Sequence, residues 1–183
     1  MEKIHAGQFM EKLTLTTAGL REIEIPDATR QTHLQFLRFA GCPFCNIRLH
    51  AYERRAGEIV RAGIREVLVF RSTTEQLQRH HNDIPFDAVL DPEGKLYRQF
   101  GVESGLRSVL NPRVLMSALP YLAMKFPTGP GLPPAGARHD GVLGFPADFL
   151  IDPGGEIIAC RYGQHADDHW SVDELLTLSR PHP

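Results

Sequence analysis

The spacing of the apolar runs along this 183-residue chain determines how its strands can pair. The runs at 34–40 (LQFLRFA) and 66–71 (EVLVFR) predict two buried strands. The segment between them is long enough for a helix, so these strands should be parallel. The runs at 147–152 and 156–161 are joined by a short Pro-Gly-Gly turn, which requires an antiparallel pair. Both kinds of connection in one chain predict an α/β fold with a central mixed sheet flanked by helices on both faces.

Three segments predict the helices that cover this sheet. Apolar residues between 46 and 62 recur at spacings of three and four, which indicates a helix with one buried face. The sequences STTE at 72–75 and SVDE at 171–174 have the spacing of a capping box, so each should begin a helix, the second ending near residue 178. The remaining predicted elements are an N-terminal β-hairpin at 11–25 and a strand at 86–90.

Residues 1–183 are predicted to form a single domain that carries an insertion at about 104–144. Within the insertion, residues 112–126 predict a helix that is apolar nearly all round, and residues 127–137 are too rich in Pro and Gly for regular structure. The apolar surface of this helix exceeds what one side of a sheet can cover. We therefore expect it to pack over the rim of the functional site or to form a homodimer contact.

Charge and hydropathy argue against several kinds of partner. The chain has 20 Lys and Arg against 22 Asp and Glu, a formal charge of −2, which offers no general attraction to nucleic acid or to an anionic membrane. No segment has the length and apolarity of a membrane span, and the first residues lack the pattern of an export signal. These features predict a cytoplasmic protein whose partners are small molecules or other proteins.

Two of the three cysteines form a Cys-x-x-Cys motif, Cys42-Pro-Phe-Cys45, where a buried strand ends and a helix begins. Helix residues three apart are close enough for a disulfide to form and open without moving the fold. Cys42 faces the positive end of the helix dipole, which favours a thiolate, and is therefore the expected nucleophile. Cys45 is placed to resolve a mixed disulfide on Cys42. Arg38 and Arg48 are near enough in sequence to add positive charge.

Two alternatives remain open for the cysteines. Cys42 and Cys45 together with His165 and His169 make a formal Cys2His2 zinc set, but the gap of about 120 residues between the pairs is far outside zinc-finger spacing, so redox chemistry is favoured and no metal is expected. Cys160 lies in a predicted strand, where it is either a small buried hydrophobic residue or a second resolving thiol.

Four segments together carry a family resemblance. The sequences LQFLRFAGCPFCNIRLHAYERR, VLVFRSTTEQL, FDAVLDPEGKLYRQFGV and FPADFLIDPGGEI resemble thioredoxin-fold, peroxiredoxin-like proteins of the alkyl hydroperoxide reductase and thiol-specific antioxidant (AhpC/TSA) superfamily. The resemblance extends from about residue 11 to 178, and its most specific parts are the strand–CxxC–helix segment and the FLIDPGGEI hairpin.

The resemblance implies a thioredoxin-like fold and further site residues. In such proteins a cis-proline at the start of the hairpin strand lies against the CxxC motif, and Pro146, preceded by Phe145, occupies that place. Pro43 and Phe44, between the cysteines, resemble the Cys-Pro-aromatic-Cys of glutaredoxins. These four residues are the expected substrate-binding positions.

The chain departs from true peroxiredoxins at the peroxide-activating residues. When their Pro-x-x-x-Thr/Ser-x-x-Cys motif is aligned with this sequence, its Pro corresponds to Arg38, its Thr to Cys42 and its peroxidatic Cys to Cys45. The arginine of that family aligns at or next to Pro146. Arg38 and Arg161 are the candidate substitutes for that arginine, as electrostatic support for the thiolate.

The sequence therefore predicts a thiol–disulfide oxidoreductase that uses Cys42 and Cys45 in cellular redox homeostasis, with a redox-active disulfide and no other cofactor. Its partners would be a protein or small-molecule disulfide, or a hydroperoxide, and a thiol reductant. The alternatives are a peroxiredoxin-like peroxidase and a non-catalytic thioredoxin-fold or metal-binding module.

Overall fold

The computed structural model of the protein describes residues 2–81, 83–102 and 144–179. The strands are β1 (Leu13–Thr16), β2 (Glu22–Ile25), β3 (Gln31–Phe36), β4 (Ile64–Phe70), β5 (Asp87–Leu90), β6 (Ala147–Ile151) and β7 (Ile157–Tyr162). The helices are α1 (Pro43–Arg54), α2 (Ala56–Arg61), α3 (Thr74–His80), α4 (Lys95–Gln99) and α5 (Val172–Leu178).

The central sheet has the strand order β5-β4-β3-β6-β7. Strand β4 is parallel to both β3 and β5, whereas β6 is antiparallel to β3 and β7. The predicted mixed α/β sheet is thus confirmed, and the antiparallel β1–β2 pair confirms the N-terminal hairpin. Strand β3 is hydrogen-bonded on both sides, so the segment that follows it begins from the middle of the sheet.

One face of the sheet carries an aromatic core beneath α4 and the hairpin. The ring of Phe36 lies 5.0 Å from that of Tyr97, 5.1 Å from that of Phe100 and 5.7 Å from that of Phe149. Ile25 of the hairpin is fully buried in the same cluster. This core joins β3, β6 and α4 and holds one face of the central strand rigid.

The opposite face carries two clusters beneath the other four helices. One contains both cysteines of the motif, with Leu49 from α1, Phe70 from β4 and Leu77 from α3. The second lies under α2 and α5 and is formed by Tyr52, Ile59, Ile64, Leu150, Trp170, Val172 and Leu175. Helix α1 contributes residues to both clusters, so the helix is packed against the sheet along its whole length. This packing fixes the position of its N-terminus.

The helix boundaries differ from the prediction in two places. The helix predicted over 46–62 is divided at Arg55, which leaves the helical conformation (φ −113°, ψ 15°) and pairs with Glu58 and Asp173. The box predicted at 72–75 is wrong by one residue, because Thr73 caps α3 while the Ser72 hydroxyl accepts a hydrogen bond from the Ala40 amide, 3.0 Å away. The predicted C-terminal capping box at 171–174 is confirmed.

Helix α4 was not predicted from the sequence. Asp91, in what the sequence shows as an Asp-Pro-Glu-Gly turn, accepts hydrogen bonds from the amides of Lys95, Leu96 and Tyr97. Gly94 precedes the helix with φ +67°, a left-handed conformation that glycine adopts without strain. The Asp91 carboxylate therefore supplies acceptors for the first amides of this helix.

The predicted insertion lies outside the described residues except for residue 144, and the predicted helix at 112–126 lies wholly outside them. Among the helices that are described, none has the length and apolar composition needed to cross a membrane.

Candidate functional site

The segment from residue 37 to 42, here termed the 37–42 loop, carries the chain from β3 to the motif. The Leu37 amide donates to the Val69 carbonyl, and the Cys42 amide donates to the Phe39 carbonyl at 3.0 Å. Cys42 is the N-cap residue of α1 in extended conformation (φ −71°, ψ 117°), and Pro43 occupies the first turn. The sulfur of Cys42 is thereby held at the helix N-terminus, where unpaired amides favour negative charge.

Both motif cysteines are free thiols inside the protein. The exposed fraction of Cys42 is 0% and that of Cys45 is 1%. The two side chains are hydrogen-bonded to each other. A substrate therefore reaches the Cys42 sulfur only when the groups over it move apart.

Arg38 is the charged side chain that the structure brings to the thiols. Its Nη1 donates a hydrogen bond to the Cys42 sulfur at 3.6 Å, and the residue is buried. The guanidinium lies 5.7 Å from the ring centre of Phe39. A buried positive charge at this distance acts through a low dielectric and so interacts strongly with a thiolate.

The surroundings of the two cysteines separate their pKa values. Burial alone would raise the pKa of Cys42, but the hydrogen bond from Cys45, the charge of Arg38 and the amides of Cys45 and Phe44 lower it to about 6. Burial and the negative charge of Cys42 raise the pKa of Cys45 well above its ordinary value. At neutral pH the site therefore holds one thiolate, on Cys42, and one thiol, on Cys45.

The other residues predicted to touch substrate fall into two groups. Pro43 and Phe44 are half-buried at the start of α1, and Phe44 packs against the cysteine cluster. Phe145 and Pro146 instead line a cavity of about 390 Å³ together with Lys3, Val102, Tyr162, Gly163 and Gln164.

The predicted cis bond at Pro146 is wrong. The cis peptide bond among the described residues is Ile25–Pro26, and the Phe145–Pro146 bond is trans. The Gly163 amide donates to the Pro146 carbonyl at 2.8 Å, and a Cβ atom at Gly163 would meet the proline ring at 2.5 Å. A glycine after β7 therefore provides the space in which the trans proline packs.

Two further arginines have other partners. Arg161 pairs with Glu174 at 2.8 Å, and its guanidinium lies 5.9 Å from the centre of the Trp170 ring. Arg48 donates to Asp167 at 3.4 Å. Of the arginines considered from the sequence, the structure places Arg38 at the Cys42 thiol, whereas Arg161 pairs with α5.

The third cysteine and the two predicted loop histidines are not assembled with the motif. Cys160 packs against the core on the opposite face of the sheet, and its thiol donates to the Ile4 carbonyl at 3.4 Å. His165 and His169 lie between β7 and α5, where His169 binds Asp148. Within the described part of the chain, no three His, Cys, Asp or Glu side chains converge as a metal site.

Beneath α1 lies a buried ionic cluster that sequence reasoning missed. His33 Nδ1 is 2.8 Å from a Glu66 carboxylate oxygen, and His33 Nε2 is 3.2 Å from Asp148. Asp148 also binds Gln35 and lies 3.1 Å from His169. Burial alone would lower the pKa of His33, but Glu66 and Asp148 raise it to about 10. The sequence signal was an ionisable residue in each of three strands of the central sheet, namely His33 in β3, Glu66 in β4 and Asp148 in β6.

The fold and the strand–Cys-x-x-Cys–helix arrangement together define a thioredoxin-like protein of the peroxiredoxin type. The AhpC/TSA family model matches residues 6–160, and the chain belongs to this family. No curated protein matches the chain at a significant level.

Solved structures with the same fold include proteins described as peroxidoxin, peroxiredoxin-like and putative thiol:disulfide interchange protein. Peroxidoxin BcpB from Mycobacterium tuberculosis is similar with a TM-score of 0.66 and 14% identity, covering 96% of each chain. A putative thiol:disulfide interchange protein DsbE from Chlorobium tepidum has a TM-score of 0.60 and 16% identity, covering 97% of this chain and 100% of that one. A peroxiredoxin-like protein from Aquifex aeolicus has a TM-score of 0.65 and 13% identity, covering 97% and 86%.

Proposed function

We propose that this protein is a thiol–disulfide oxidoreductase in which Cys42 attacks the substrate and Cys45 resolves the mixed disulfide. Membership of the AhpC/TSA family supports thiol-dependent redox chemistry in general. The observation that carries the more specific proposal is that the pKa of Cys42 is lowered while the pKa of Cys45 is raised. This difference gives one activated nucleophile and one protonated partner in hydrogen-bond contact with it.

The reaction proceeds in two exchanges. The Cys42 thiolate attacks one sulfur of the substrate disulfide, so the substrate S–S bond breaks, a Cys42–substrate disulfide forms, and the other sulfur leaves and takes a proton. Cys45 then gives up its proton and attacks the Cys42 sulfur, which releases the second substrate sulfur as a thiol. Two electrons pass to the substrate, and the protein is left with a Cys42–Cys45 disulfide.

A thiol reductant must return the protein to its dithiol form by the reverse exchange. The substrate class is a protein or small-molecule disulfide, and the cysteine pair is itself the redox group, so this cycle needs no further cofactor. Because Cys42 is completely buried, a small disulfide or a flexible segment of a protein requires less opening of the site than a disulfide inside a folded domain. A reducing compartment such as the cytosol would supply the thiol.

A peroxiredoxin-like peroxidase is the second candidate, and the buried Arg38 beside Cys42 favours it. In that reaction the thiolate attacks a peroxide oxygen, the O–O bond breaks, and Cys42 becomes a sulfenic acid that condenses with Cys45 to release water. A guanidinium can stabilise the charge on the leaving oxygen. Against this candidate, Cys42 itself stands where peroxiredoxins have the Thr or Ser of their motif.

The two candidates are separated by rapid-quench measurement of Cys42 oxidation by a small disulfide and by hydrogen peroxide under identical conditions. We expect the disulfide to react readily and peroxide weakly, with both reactions lost in Cys42→Ser and unchanged in the control Cys160→Ser. Peroxide consumption that is faster than disulfide reduction and is lost in Cys42→Ser would instead favour the peroxidase. Fast peroxide consumption that survives Cys42→Ser and disappears in Cys45→Ser makes Cys45 the peroxidatic cysteine. No reaction with either oxidant would identify a non-catalytic module.

A further inference from the structure

The imidazole of His80 lies against the 37–42 loop one residue before the nucleophile. A Cβ atom built on Gly41 would be 2.7 Å from Nε2 and 3.0 Å from Cε1 of His80, so the ring occupies the space that any side chain at residue 41 would need. His80 is the last residue of α3 and is exposed to solvent. An ionisable, solvent-exposed side chain therefore lies against the loop residue that directly precedes Cys42 in the sequence.

Contacts on both sides of Ala40 fix the end of α3 to this loop. His81 Nε2 lies 3.0 Å from the Ala40 carbonyl, and the Ser72 hydroxyl accepts from the Ala40 amide at 3.0 Å. The His81 ring also lies 5.9 Å from that of Phe70 in the cysteine cluster. Because His80 directly precedes His81, these contacts also hold the His80 backbone near the 37–42 loop.

The exchange reaction is assisted by a proton donor on this outer side of the site. Attack on a disulfide places negative charge on the entering sulfur and on the leaving sulfur, which lie at opposite ends of a line of three sulfurs. Arg38 is buried and bonded to Cys42, so it stabilises the entering sulfur. Because Cys42 is buried, a substrate disulfide approaches it from the solvent side, so its leaving sulfur would lie on that side. A basic alkyl thiolate leaves more slowly than an acidic one, and a proton donor there would assist its departure.

We propose that His80 is the general acid that protonates the leaving sulfur when Cys42 attacks a disulfide, which suits the site to disulfides of ordinary alkyl thiols. This inference rests on the proposed function. Protonated His80 gives its proton to the departing thiolate and becomes neutral, while the second product thiol takes the proton released by Cys45. Two protons and two electrons thus convert one disulfide to two thiols.

The charged and ionisable groups around this corner come from three elements. His81, directly after α3, interacts electrostatically with His80 and with His50 and Glu53 on α1, and Arg38 faces Cys42 from the inner side. Imidazole is the side chain that most often serves as a general acid or base in catalysis.

The test compares two disulfides that differ in the acidity of their leaving thiol. Reduced protein is mixed with bis(2-hydroxyethyl) disulfide, whose leaving group is a basic alkyl thiolate, and with 5,5′-dithiobis(2-nitrobenzoate), whose leaving thiol is acidic and needs no proton. The readout is the ratio of the two rate constants of Cys42 modification, because any change in Cys42 itself alters both rates and cancels. His80→Gln is compared with the wild type and with His5→Gln, which alters an exposed histidine on the N-terminal segment.

We expect His80→Gln to lower the alkyl-to-aryl rate ratio by about a hundredfold, the lower end of general-acid contributions, and His5→Gln to leave it unchanged. Gly41→Ala displaces the His80 ring and should lower the ratio in the same direction. An unchanged ratio in His80→Gln, or equal slowing of both reactions, overturns the role of His80 while the proposed exchange activity stands. If the wild type modifies Cys42 with neither disulfide, the proposed function itself fails.

Discussion

Replacing His33 by Leu should destabilise the protein severely, because it removes the histidine that pairs with both carboxylates of a completely buried ionic cluster. In the wild type His33 lies between Glu66 and Asp148, and each of the three side chains is no more than 1% exposed. After the substitution both carboxylates lose a partner that water cannot replace. His33→Leu also leaves the dithiol side chains untouched.

The magnitude follows from the pKa of His33. Its rise from 6.5 to about 10 corresponds to about 5 kcal/mol of preference for the charged form, at about 1.4 kcal/mol for each pH unit. Breaking a buried pair by removing one partner costs about 3–5 kcal/mol, and protonation of Glu66, whose pKa burial already raises, relieves part of this. We therefore expect a loss of about 3–5 kcal/mol, a large fraction of the stability of an ordinary domain.

The pH dependence gives an independent signature. A group with a raised pKa in the folded state contributes its full stability below its unfolded pKa and loses it as pH rises through the folded value. The contribution of His33 should thus be complete below about pH 6.5 and disappear by about pH 10. Urea unfolding of the wild type should show this decline, and His33→Leu should lack it.

Two variants serve as controls. His50→Leu alters an exposed histidine that pairs with Glu53 and should change the unfolding midpoint little. The double variant His33→Leu/Glu66→Leu also removes the carboxylate that pairs with His33 Nδ1 and should recover part of the loss. A loss below about 1 kcal/mol in His33→Leu, with the same pH dependence as the wild type, would refute the account of this cluster.

Three further predictions concern the site and its support. Arg38→Met removes the charge beside Cys42 and should raise the Cys42 pKa from about 6 toward its ordinary value. The measurement is the pH dependence of thiolate absorbance at 240 nm, and an unchanged pKa contradicts the role of Arg38. Cys45→Ser should accumulate a mixed disulfide on Cys42, detected by mass spectrometry, and its absence would show that Cys45 is not the resolving thiol. Asp91→Ala should cost about 1–2 kcal/mol in urea unfolding, because three amides of α4 lose their acceptor, whereas Asp91→Asn should cost less.

The parts of the fold that the sequence predicts are those set by short-range spacing. A turn of a few residues permits only an antiparallel partner, and a helix-length connection favours a parallel one, so the mixed sheet follows from chain distances. The box at Ser171 and Glu174 is equally local. Helix α4 escaped prediction because its cap, Asp91, lies four residues before the first helical residue, in what the sequence presents as a turn.

The residues that sequence reasoning missed are brought together by strand register. His33 is paired with Glu66 across the parallel β3–β4 ladder, and Gln35 with Asp148 across the antiparallel β3–β6 ladder. A shift of one residue in either ladder would turn these side chains to the opposite face. Likewise, His80 reaches Gly41 only through the packing of α3, and Pro146 packs in space that Gly163 leaves open.

The central claim, that Cys42 is the thiolate and Cys45 the protonated partner, is tested most directly by alkylation of the reduced protein as a function of pH. Limiting iodoacetamide is added between pH 4 and 10, and the labelled cysteine is identified by peptide mass spectrometry. The account predicts that Cys42 is labelled first and that its rate is half-maximal near pH 6. Preferential labelling of Cys45, or a Cys42 rate that rises only near the free thiol value of about 8.5, would contradict it.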